Sequence, residues 1–123
     1  MSDAQQIPIY EDMLARARRE GNQLQESEAV NALGVMYADR GDIHKGIEFL
    51  KEALRLRRDV LRDNDKAAMT CQNLAGCYEL GLRDLATAVK YLEMAANLAS
   101  PNNPQKKTYE AMAASRREEL RRK

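Results

Sequence analysis

Cys71, Cys77 and His44 are the only thiols and the only imidazole in the chain. With Asp42 they hold the parts of a nucleophilic pair: a thiolate, a base and an acid to orient it. Their spacing argues against that chemistry. A gap of six residues on a helix turns the second thiol about 240° from the first. The two cannot then share a metal or close a disulfide while the helix holds. Asp42 and His44 fall at a helix start, where a cap and a solvated first-turn side chain are expected. The sequence has no zinc-ligand spacing, phosphate-cradling glycine loop or nucleophile elbow. Both cysteines are expected to be reduced, buried fillers. The expectation is a protein that is not an enzyme and uses no cofactor and no metal.

The second group with chemical potential is a set of amides, Asn31, Gln72 and Asn73. An amide side chain donates to and accepts from a peptide backbone at once. Their use depends on the elements that carry them. The chain has 123 residues, with 20 Lys and Arg against 19 Asp and Glu, a net charge of +1. That balance gives no global field for nucleic acid or a membrane surface. No apolar run approaches the roughly 18 residues of a membrane span. Residues 1–6 lack the features of a secretory signal, so a cytoplasmic location is expected. One Phe, five Tyr and no Trp are few for a sandwich or barrel core. Ala, Leu, Glu, Arg and Lys are strong helix formers, and an all-α fold follows.

Periodicity predicts six helices. The first spans about 3–20, with Ile9, Met13 and Ala17 inward beside Tyr10 and Leu14. Asp3 is its candidate cap, and Pro8 allows a later start at Ile7. Gly21–Asn22 ends it. The second spans about 23–39 and buries Ala29, Val30, Leu33, Gly34 and Tyr37. Gly41 and Asp42 turn into a long third helix to about residue 62. Its inner face is Ile43, Ile47, Leu50, Leu54 and Leu61, widened by Phe49, Ala53, Leu56 and Val60. Lys51, Arg55, Arg57, Arg58 and Arg62 make its outer surface basic. The fourth helix, about 66–80, turns Ala67, Cys71, Leu74, Ala75 and Tyr78 inward. Residues 81–84 form a turn capped by Asp84 before a fifth helix over 85–98. Residues 100–104 are the clearest break, and Asn103 with Pro104 would open a sixth helix. Tyr109, Met112, Ala113 and Leu120 form its apolar side.

These helices repeat. Val30–x–x–Leu33–Gly34–x–x–Tyr37 recurs as Cys71–x–x–Leu74–Ala75–x–x–Tyr78, 41 residues on. Past the turn the offset becomes 42, pairing Asp42 with Asp84, Gly46 with Ala88 and Leu50 with Leu92. One residue inserted in the second turn accounts for the change. A period in the range of about 20–50 residues marks a stacked helical array. Gly34 or Ala75 facing Gly46 or Ala88 lets paired helices approach closely. Leu33 and Leu74 fill the space between them. Tyr37 and Tyr78 pack near the turn with the hydroxyl in water. Ala53 and Ala95 leave room for stacking.

The pattern resembles the tetratricopeptide repeat, with L-G-x-x-Y on its first helix and A-x-x-x-F on its second. Here Leu50 and Leu92 replace the Phe, Gly46 replaces the first Ala, and Val30 and Cys71 take the place of the usual Trp. The long third helix is similar to repeats of kinesin light chains. Repeat two also resembles the SEL-type repeats, which have a longer turn. The resemblance covers about residues 27–100. It implies a right-handed α-solenoid of antiparallel helix pairs: an N-terminal helix over 3–21, repeat one over 23–62, repeat two over 65–99, and a capping helix with a basic tail over 103–123. All form a single domain, 1–123.

The resemblance also implies a protein-interaction module, an adaptor or scaffold holding a partner's peptide or helix in a concave groove. The first helix of each pair lines it. Positions left over from packing are Glu28, Asn31, Val35 and Ala38 on helix two, and Met69, Gln72, Asn73, Gly76 and Glu79 on helix four. Gly76 leaves a floor that a ligand can approach. The chaperone-tail clamp of some relatives uses Lys and Asn at fixed positions. Asn73 matches one of them, while Asn31 stands where the first Lys would be and Val35 where an Asn would be. The alternative is a scaffold that self-associates into a homo-oligomer through its end helices. Residues 105–123 carry seven Lys or Arg and three Glu, and Arg116, Arg117, Arg121, Arg122 and Lys123 form a candidate basic patch. No aromatics interleave them, which argues against nucleic acid.

Overall fold

The computed structural model describes residues 2–123, the side chain of Asp3 excepted. Among the described residues it contains six helices and no strand. The helices are α1 (Asp3–Glu20), α2 (Gln23–Asp39), α3 (Ile43–Leu54), α4 (Asn64–Gly76), α5 (Leu85–Leu98) and α6 (Lys106–Arg121). α3 continues into a π-helical segment, Arg55–Val60, and α4 into another, Cys77–Gly81. The chain divides into two compact units, Met1–Arg62 and Asp63–Lys123.

α1 begins at Asp3, and Pro8 lies inside it. Ser2, not Asp3, is the cap residue, and its backbone N–H donates to Gln5 Oε1 at 3.0 Å; the Asp3 side chain is outside the described residues. The inward face of α1 is also rotated from expectation. Ile7, Leu14 and Ala17 are buried, while Ile9 is 51% exposed. The two stripes, 7–14–17 and 9–13–17, share Ala17 and one helix period, so spacing alone does not separate them. What separates them is α2, against which Ile7 and Leu14 pack in a cluster with Val30, Leu33 and Tyr37.

In the first unit, α2 and α3 cross at their glycines. A Cβ on Gly34 would sit 2.5 Å from Leu50 Cγ and 2.9 Å from the Gly46 carbonyl, and one on Gly46 would sit 2.7 Å from the Gly34 carbonyl. That contact needs two residues without side chains. In the second unit Ala75 and Ala88 take those places, in a cluster with Leu92 and Ala113. Leu33 and Leu74 are fully buried. Tyr37 stacks on Phe49 with ring centroids 5.7 Å apart, and Tyr78 stacks on Tyr91 at 5.5 Å. The Tyr37 hydroxyl is not left to water; it donates to Glu11 Oε2 of α1 at 3.0 Å.

Four turns share one device. A residue with positive φ (Gly21, Gly41, Arg62 or Arg83) is followed by Asn22, Asp42, Asp63 or Asp84. Asn22, Asp63 and Asp84 each accept a backbone N–H of the next helix on their side-chain oxygen, at 3.1 Å. The last two turns are the same tripeptide, Leu–Arg–Asp, at 61–63 and 82–84. The inserted residue of repeat two is also located. Asp42 N–H returns to the Tyr37 carbonyl at 2.9 Å, and Asp84 N–H returns to the Tyr78 carbonyl at 2.7 Å across one more residue. The extra residue is absorbed in the π-helical end of α4, where Leu82 N–H reaches back to the Cys77 carbonyl, rather than in the turn. The π-helical end of α3 likewise leaves Val60 exposed.

α6 starts two residues later than expected, at Lys106. Asn103 still caps its approach, accepting the Gln105 N–H on Oδ1 at 2.8 Å. Tyr109 and Ala113 are its buried residues, and Leu120 is exposed.

Candidate functional site

Burial of Val30, Leu33 and Tyr37 turns the opposite side of α2 away from the first unit's core. Asn31 and Val35 are half-buried there. Ala38 instead faces α3, where its Cβ would lie 3.0 Å from a Cβ on Gly46. Glu28 is engaged by Arg57, whose Nη2 donates to it at 3.4 Å. Arg57 is only 3% exposed, so it is not part of a solvated basic surface. The signal for this was legible, because 50, 53 and 57 follow the spacing of the buried face. The charge of Arg57 concealed it. Its neighbours on the outer surface are paired with carboxylates. Arg55 holds Glu52 at 2.7 Å, and its hydrogen bond lowers the Glu52 pKa. Arg58 lies 2.8 Å from Asp59.

The second unit separates its candidate residues into two stripes on α4. Met69, Asn73 and Gly76 lie along one line that ends at Leu80 (steps of four, three and four). Met69 is 52% and Leu80 79% exposed. Asn73 is half-buried, and a Cβ on Gly76 would meet nothing within 4 Å. Two apolar side chains thus bracket an amide and an open stretch of backbone. Sequence reasoning missed Leu80, reading it only as a helix end.

The other stripe runs through Asp65, Gln72 and Glu79, seven residues apart, and it faces α6 and the connection before it. Asp65 accepts the backbone N–H of Ser100 at 2.8 Å, the Ser100 hydroxyl at 3.0 Å and the Asn103 amide at 2.9 Å. These bonds, the backbone one first, hold its carboxyl below the usual range. Gln72 Nε2 lies 3.8 Å from Met112 Sδ, and Arg116 Nε donates to Glu79 at 3.2 Å. Gln72 and Glu79 therefore belong to an internal contact of their unit.

The basic residues of α6 are largely paired. Arg116 holds Glu79, Arg117 holds Glu93 at 2.7 Å, and Arg121 and Arg122 both lie 3.5 Å from Glu118. Lys123 is exposed. Cys71 and Cys77 are buried. His44 is exposed in the first turn of α3. Among the described residues, no three His, Cys, Asp or Glu side chains are grouped to hold a metal. None of the helices is long and apolar enough to cross a membrane.

The family model of the tetratricopeptide repeat matches residues 25–100. This chain belongs to the tetratricopeptide-repeat family. The match runs from within α2 through α5, the helices that carry the recurrence at offsets of 41 and then 42 residues. Compared with curated proteins and with solved structures, the chain matches none. Tetratricopeptide repeats mediate protein–protein interaction. In this tetratricopeptide-repeat chain, the first helix of each matched pair is α2 or α4, the two that carry Asn31 and Val35, and Met69, Asn73 and Gly76.

Proposed function

We propose that this tetratricopeptide-repeat chain is a non-enzymatic adaptor that holds a peptide or helix of a partner protein, with the outward face of α4 as the contact surface of the second unit and the outward face of α2 as that of the first. The observation that carries the reading is the α4 stripe Met69–Asn73–Gly76–Leu80, in which exposed apolar ends flank an amide and an unobstructed glycine. Asn31 and Val35 are the corresponding contacts on α2. The magnitudes favour this division of labour. A hydrogen bond contributes a net ~0.5–1.5 kcal/mol, and micromolar affinity needs about 8 kcal/mol, so amides alone are insufficient. Burying a Met or Leu side chain adds about 1.5–3 kcal/mol each. The amides would set register and the apolar ends would supply affinity.

The test compares the partners retained by the wild-type chain with those retained by a Met69→Ala/Leu80→Ala double variant and by Asn31→Ala and Asn73→Ala. Loss of partners from the double variant with unchanged helical circular dichroism is the expected result. An identical partner set on all four proteins defeats the reading. A second reading, self-association through the end helices, draws on Ile9, exposed on the outer side of α1. Light scattering across a concentration series tests it, and a constant monomer mass removes it. The buried thiols suit a reducing, cytoplasmic setting. The long, kinesin-light-chain-like character of repeat one rests on the extension of α3 through its π-helical end.

A further inference from the structure

The six helices are not equally anchored. α5 buries six of its 14 residues, while α6 buries two of its 16, Tyr109 and Ala113. Few buried apolar contacts mark an element that opens locally before the rest unfolds. The polar ties that lead into α6 lie in the connection before it, where the Asp65 carboxylate accepts three hydrogen bonds from Ser100 and Asn103. Lys106 Nζ donates to the Ala96 and Ala99 carbonyls beside that clasp. Beyond Ala113, among the described residues, α6 is tied by exposed or half-exposed ion pairs through Arg116 and Arg117, and such pairs contribute little. The connection between α5 and α6 contains Pro101 and Pro104, which lack the N–H needed to fuse the two helices into one.

We propose that α6 is a latched helix that swings off its unit as a body, that the Asp65 clasp is the latch, and that α6 competes with a partner helix for the surface it covers. Opening releases Gln72 and Glu79 from Met112 and Arg116. It also uncovers the Ala75, Ala88 and Leu92 surface on which Ala113 sits. The helix that fits the vacated surface has the pattern of α6 itself: an aromatic residue, then Met and Ala three and four positions later. This competitor role rests on the partner-face reading above; the opening does not.

Hydrogen exchange on the whole 123-residue chain tests the opening without any partner. In the wild type, α6 amides exchange at least about 100-fold faster than those of α5. Asp65→Asn speeds α6 exchange about tenfold more and keeps α6 faster than α5. Ser100→Ala, which leaves the first turn of α4 intact, speeds α6 by about threefold. Equal protection of α6 and α5 in all three proteins overturns the proposal. A labelled peptide with the sequence of residues 103–123 then probes competition. Tighter binding to Asp65→Asn than to the wild type is expected, and binding to neither overturns the competitor role while leaving the exchange result to decide the latch.

Discussion

Gly34 and Gly76 both sit in helices and serve opposite ends. Gly34 has no room for a side chain, because its Cβ position is 2.5 Å from Leu50 Cγ. Gly34→Ala gains about 1 kcal/mol of helix propensity but incurs about 1–3 kcal/mol of overpacking. A lower melting temperature is expected. Gly76 has helical backbone angles (φ −60°, ψ −42°) and open space beyond it. Gly76→Ala should therefore raise stability by about 0.5–1 kcal/mol while weakening partner binding, which a melt and an affinity measurement check together. Leu74 gives the sharpest test of packing. It is fully buried, so Leu74→Ala should cost about 2–5 kcal/mol in denaturant unfolding, a large part of the ~5–15 kcal/mol of a whole domain. Leu74, the two cysteines and the glycine crossing were legible because size and repetition fixed them. Arg57 carries the same spacing signal, but a cation on an inward position reads as solvated until its partner Glu28 is located in space.

At the scale of elements, the turns are informative. Gly21 and Gly41 occupy left-handed backbone at no steric cost, whereas Arg62 and Arg83 do so as ordinary L-residues, each at φ 55°. That conformation costs about 1–2 kcal/mol, and replacement by Gly returns about 0.4–1 kcal/mol to the unfolded chain's entropy. Arg83→Gly is expected to be net stabilising by roughly 0.5–1 kcal/mol, read as a higher melting temperature. A lower one would mean that Arg83 holds a contact of greater value. The Leu–Arg–Asp turns also set a boundary that glycine does not mark. Glycine is the usual punctuation and points to Gly81 as part of the turn, but Gly81 ends the π-helical segment and Arg83 makes the reversal. Leu80 lies within that π-helical segment and is 79% exposed. Spacing rules based on 3.6 residues per turn do not anticipate the π-helical ends of α3 and α4.

At the scale of the molecule, the near-zero net charge and the paired surface ions leave specific carboxylates, not bulk charge, to set the acid response. Asp65 is held low chiefly by the Ser100 N–H, and Asp84 chiefly by the Thr87 hydroxyl and then its N–H. A folded value below the unfolded one, about 3.9, gives a contribution that is full above the unfolded value and is lost as pH falls through the folded one. The melting temperature is expected to stay level down to about pH 5 and to drop below about pH 4. In Asp65→Asn it should be lower at neutrality and less acid-sensitive. A melting temperature that rises on acidification contradicts this assignment.

The sequence by itself determined the helical class, the six segments, the recurrence and the residues that fill each helix pair. Those follow from local periodicity and from side-chain size repeated in register, both of which are written along the chain. The tertiary structure decided which of two equivalent stripes on α1 is inward, where the extra residue of repeat two goes, and that Gln72 and Glu79 face α6 while Met69 and Leu80 face solvent. Each is a choice among faces of one helix. Helix geometry makes such faces equivalent, and only the neighbour that packs against one of them removes the equivalence.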